Sequence, residues 1–87
     1  MPTNQKIVLK AIYWEGKEVT VPELVRETGL KINQVYMALY ALKQRQYIII
    51  RTEKPHWENG NRVPPKSFIT LRNPTLTESS LKKWGLI

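Results

Sequence analysis

If residues 32 to 45 are helical, Asn33, Gln34, Met37, Tyr40, Ala41 and Gln44 share one side, with Tyr36 and Lys43 on a flank. Amides, phenols and a thioether form hydrogen bonds and apolar contacts, and none of them exchanges protons near neutral pH. The face is nearly free of acids, whereas a merely solvated face usually mixes lysine with glutamate. Groups suited to catalysis are sparse. The chain has one histidine, His56, no cysteine and no aspartate, and its seven acids are scattered over helix-surface positions. No carboxylate pair or nucleophile–base set is recommended by spacing, so we expect no enzyme. A histidine without histidine or cysteine companions is a poor metal ligand, and we expect neither metal nor cofactor.

The charge is distributed unevenly. Residues 1–30 hold as many cations as anions, so the whole net charge of +7 lies in residues 31–87. That excess coincides with the acid-free helical face and points to a polyanionic partner. The length of 87 residues suits one core, and the 41% hydrophobic content suits a folded chain. No apolar run approaches the length of a membrane span, and we expect no membrane partner. The opening MPTNQKIVLKAIYWEG reads as an amphipathic helix and not as a signal peptide. Absence of cysteine fits a reducing, cytoplasmic setting.

Several elements must position this face. Thr3 or Asn4 caps a first helix to about Trp14, with the stripe Ile7, Val8, Ala11 and Ile12 and a stop at Gly16. Lys17 to Val19 forms a short extended link. Thr20 opens a capping box with Glu23, and Pro22 fits the first turn of a second helix that buries Val21, Leu24, Val25 and Thr28. Gly29 stops that helix and Leu30 plugs the corner. The third helix, 32 to 45, buries Val35, Ala38, Leu39 and Leu42. Tyr47 to Glu53 and Lys66 to Arg72 read as antiparallel strands. The segment between them protrudes, with a turn at Asn59-Gly60 and a break at Pro64-Pro65. Thr75 or Thr77 caps a last short helix through about Trp84, stopped by Gly85.

This order resembles the winged helix-turn-helix proteins, and ELVRETGLKINQVYMALYALKQRQYII is similar to their common pattern. The fold class expected is α+β: a domain over residues 1–72, with a three-helix core and a β-hairpin wing, and a C-terminal tail with a short helix over 73–87. One departure is Gln46, which stands where many members have glycine, so it either adopts an unusual backbone angle or the turn differs. The resemblance implies binding of double-stranded DNA, with the third helix in the major groove and the wing, 54 to 66, on the backbone or minor groove. It assigns base contact to Asn33, Gln34, Met37 and Tyr40, with adenine edges and thymine methyls as targets. Lys31, Tyr36, Lys43, Lys54, Arg62 and Lys66 would meet phosphate, and Arg62 is the best candidate for a minor groove. Trp57, Asn59 and Asn61 lie at the wing tip, where Trp57 is expected to fold back on its hairpin.

Trp14, Leu81 and Trp84 belong to an apolar surplus outside the helix-turn-helix, which we read as a homodimer contact suited to a palindromic site. Nothing after the wing has room for an effector pocket, so no small-molecule effector is expected. A minimal transcription regulator follows, of a size common in viruses and mobile elements. Three alternatives share the fold. One is a protein-interaction module, and another is a replication or partition accessory factor. The third is a Z-DNA binder, since Asn33, Pro64 and Pro65 match those winged helices while Met37 stands at their tyrosine position and Phe68 arrives late.

Overall fold

Four stops in the chain determine where its helices turn. The computed structural model describes residues 1–87. Its order is α1 (Thr3–Glu15), β1 (Val19–Thr20), α2 (Val21–Thr28), α3 (Ile32–Gln44), β2 (Ile48–Glu53), β3 (His56–Glu58), β4 (Asn61–Val63), β5 (Lys66–Leu71) and α4 (Pro74–Lys83). This is the α+β arrangement of a winged helix-turn-helix. At the corner between α2 and α3, Gly29 takes φ 70° and its N–H donates to the Val25 carbonyl at 3.0 Å. Only a residue without Cβ adopts that conformation at no steric cost. Leu30 packs against the core there, as its position after the glycine suggests.

Val8, Leu9 and Ile12 of α1 meet Val35, Ala38, Leu39 and Leu42 of α3, Leu24 of α2, and Ile48 and Ile69 of the sheet. Of the stripe expected on α1, Val8 and Ile12 are buried and Ala11 packs against the core, while Leu9 is buried and Ile7 is exposed. The cause is that α1 packs against α2, α3, α4 and β5 together, so its buried arc is wider than a two-helix contact requires.

The helix starts also differ in detail. Pro2 holds the N-cap position of α1 with no side-chain bond, so neither Thr3 nor Asn4 caps it. Thr20 is the N-cap of α2, but its hydroxyl donates to Glu23 Oε1 at 3.0 Å and accepts no backbone N–H. Thr20 also belongs to β1, opposite Phe68, and the ladder constrains its backbone. At α4 the cap is Asn73, whose Oδ1 accepts the Leu76 N–H at 3.1 Å. Pro74 takes the first helical position, which moves the cap upstream of Thr75 and leaves Thr77 buried inside the helix.

The main sheet has the order β1-β5-β2, antiparallel throughout, with Val19 opposite Ile69 and Ile50 opposite Ile69 on its other side. Beyond it, β3 and β4 form a separate ladder closed by Asn59 (φ 50°) and Gly60 (φ 77°). Two positive angles in succession match the right-handed twist of a two-residue hairpin turn. Pro55, Pro64 and Pro65 lie between the ladders and have no N–H to offer either one. The wing therefore has two tiers, and the molecule extends 50 Å along its long axis against 24 and 21 Å across.

After α3 the chain turns through Gln46 at φ 64°, a left-handed angle on a non-glycine residue. Tyr47 N–H donates to Leu42 O and Gln46 N–H to Lys43 O, both at 3.0 Å, which satisfies the last carbonyls of α3. The turn thus keeps glycine geometry without glycine. Gln46→Gly is expected to raise the unfolding free energy by about 1 kcal/mol, as a higher urea midpoint at unchanged slope.

Candidate nucleic-acid interface

The core side of α3 is buried through Val35, Ala38, Leu39 and Leu42, and this orients the opposite side outward. Asn33, Gln34, Met37, Tyr40 and Gln44 are all exposed, Met37 to 74%. The C-terminal segment does not cover them, because α4 packs against α1. The two amides of the first turn are not equivalent. Gln34 Oε1 accepts the Lys31 backbone N–H at 2.9 Å, so this side chain caps α3. Its NH2 remains a donor and its second oxygen lone pair remains an acceptor, but the cap fixes the direction in which the amide can pair. A glutamine at the third helical position was the sequence signal for this role. Asn33 is therefore the amide of that turn with no such duty.

Tyr36, Met37, Tyr40 and Lys43 line a groove of about 550 Å³ against Val21, Leu39, Ile50, Ser67 and Ile69. Tyr36 and Lys66 line an adjoining cleft with Pro22 and Pro65. The structure thus brings Tyr36, Met37, Tyr40, Lys43 and Lys66 together where α3 meets the root of the wing. This concavity lies between α3 and the sheet. Lys54, Trp57, Asn59, Asn61 and Arg62 are absent from both linings and belong to the outer wing.

Charge pairing separates the cations. Arg51 donates to Glu18 at 3.0 Å and to Glu53 at 3.3 Å, and these bonds, Glu18 first, hold its guanidinium charged more firmly than usual. Its guanidinium also stacks 4.5 Å from the Phe68 ring centroid. Glu58 lies 3.7 Å from His56, and Glu78 pairs with Lys82. Of the wing acids, Glu53 is engaged by Arg51, and Glu58 lies beside His56 on one side of the ribbon. Lys31, Lys43, Lys54, Arg62 and Lys66 are exposed and enter none of these pairs.

Two expectations require correction. Trp57 does not fold back on its hairpin. It is 74% exposed, because the β3–β4 ribbon has no second layer for an indole to pack against. Leu81 is closed to any partner, and Trp84 is taken up in part by the chain's own core. Leu81 is 0% exposed in the shared core, and Trp84 is half-buried against it, edge-on to Tyr47 at 6.4 Å with Lys6 Nζ 5.4 Å from its ring. Of the apolar residues of α4, Leu81 packs within its own domain and Leu76 stays exposed. Of the three residues, only Trp14 remains exposed.

No group of three or more His, Cys, Asp or Glu side chains could hold a metal ion, and no helix is long and apolar enough to cross a membrane. No protein-family model matches the sequence, and no curated protein matches it. Among solved structures, the chain is similar to BpsR of Bordetella bronchiseptica, whose DNA binding is regulated by 6-hydroxynicotinic acid. The similarity has a TM-score of 0.71 at 16% identity and covers 98% of this chain. It covers 59% of BpsR, so this chain spans well under two thirds of that protein. At such low identity the likeness concerns architecture, and it agrees with the winged helix-turn-helix fold described above.

Proposed function

We propose that the chain is a DNA-binding regulatory protein that inserts α3 into the major groove of a duplex and lays the wing along its backbone. The observation that carries this reading is the outward side of α3. It is exposed and free of acids, with Lys31 at its entrance, Lys43 on its flank, Lys66 at the wing root and Lys54 and Arg62 on the outer wing, all without ion-pair partners in the chain. Such cations release counterions from phosphate, which supplies affinity without sequence preference. Asn33 supplies preference, because its amide can pair with an adenine edge. Met37 and Tyr40 offer apolar contact to thymine methyls, and Ala41 lets the helix approach the bases closely. The architecture shared with BpsR supports the same reading.

The test is anisotropy titration of a duplex selected from a random pool, beside a scrambled duplex. Arg62→Ala is expected to weaken both by a similar factor. Asn33→Ala is expected to lose about 1–3 kcal/mol on the selected duplex and little on the scrambled one. Equal losses of Asn33→Ala on both duplexes would contradict base reading by that residue.

A further inference from the structure

Trp57 is the one tryptophan that neither joins the core nor touches another aromatic ring. Trp84 packs on the core beside Tyr47, and Trp14 meets Tyr13 edge-on at 6.1 Å. A large aromatic residue held open to water on an isolated two-stranded ribbon contributes little to stability. Its neighbours reveal a chemical asymmetry. Trp57 is directly opposite Arg62 in the β3–β4 register, so both side chains leave the same side of the ribbon. His56 and Glu58, at the alternate positions, leave the other side and lie 3.7 Å apart. The Trp57 side therefore presents a flat π surface next to an unpaired guanidinium, with no carboxylate. The wing cations Lys54 and Lys66 flank the same ribbon.

We infer that this side of the wing tip is a base-stacking site: the Trp57 indole stacks on a nucleobase while Arg62 contacts an adjacent phosphate. The inference rests on the DNA-binding reading and adds a ligand that regular B-form DNA does not display, since each base face there is covered by its neighbours. An aromatic surface beside a cation is the combination that holds bases already exposed. An exposed base face has two sources, an unpaired nucleotide or a base step pried open by the wing itself.

Two short duplexes of one sequence distinguish them, one fully paired and one with a single bulged nucleotide, each carrying 2-aminopurine at the tested position. Anisotropy gives affinity and 2-aminopurine emission reports stacking. Trp57→Ala is expected to lose about tenfold in affinity, with Trp57→Phe recovering part of it and Trp57→Leu none. Because the side chain is exposed, circular dichroism should show all three variants folded. A loss confined to the bulged duplex, with its emission change, identifies an unpaired base as the ligand. A loss on the paired duplex, with emission rising only for wild type, identifies an opened step. If Trp57→Ala binds both duplexes as wild type does while Arg62→Ala is weakened, stacking is overturned and DNA binding stands. Wild-type affinity in Trp57→Leu with loss in Trp57→Ala overturns stacking in favour of plain apolar contact. Failure of the wild type to bind either duplex overturns both readings.

Discussion

Replacing Leu81 with alanine is expected to lower the unfolding free energy by about 3 kcal/mol, a large share of what a domain of this size has. Leu81 is completely buried, and it anchors α4 to α1 together with Trp84 and Leu86. Truncation removes most of its transfer free energy and leaves a cavity that two packed helices cannot easily close. The loss should be the same at low and high protein concentration in urea titrations, since the contact lies within one chain. Were α4 held by a second copy, the loss would shrink on dilution, because wild type would lose the same contact. Trp14→Ala serves as the control, with an expected change within about 0.5 kcal/mol for an exposed site. A Leu81→Ala midpoint equal to wild type would mean that α4 is not part of the fold's core.

The largest effect on binding is expected from removing three cations at once. If Lys31, Lys43 and Arg62 each neutralise one phosphate, the triple alanine variant should show a log–log salt slope shallower by about 2.7. The advantage of wild type over this variant should then shrink about 40-fold between about 50 and 200 mM salt. These side chains are exposed and make no ion pair within the chain, so their removal should leave stability nearly unchanged. Arg51→Ala provides the contrast. Its charge is already shared between Glu18 and Glu53, and its loss should leave the salt slope close to wild type. An unchanged slope in the triple variant would remove these residues from the phosphate contact.

The helix-turn-helix was legible because its signals are local and agree with one another. Gly29, Pro22 and the spacing of Val35, Ala38, Leu39 and Leu42 each act within a turn or two of chain, and the structure places all of them as their chemistry suggests. Gln46 was legible as an anomaly, and its left-handed angle resolves it. What escaped the sequence depended on contacts distant along the chain. Leu9 rather than Ile7 is buried because several elements surround α1, and no periodicity within α1 reports that. Leu81 reads as an interface residue because a sequence cannot distinguish a partner's surface from a neighbouring helix of the same chain. The ladder of β3 and β4 was missed because its strands are only three residues long and are bounded by prolines. The cap made by Gln34 was overlooked for another reason: one side chain type serves two purposes, and the groove role was considered first.

If α3 reads bases, the cap made by Gln34 would constrain how the protein can change its target. Substitutions there other than glutamate would remove the acceptor that caps α3, so a change of base preference would come with a frayed leading turn. Asn33, one step away, carries no such burden. Divergence among related chains, and engineered retargeting alike, should therefore pass more readily through position 33 than through its neighbour.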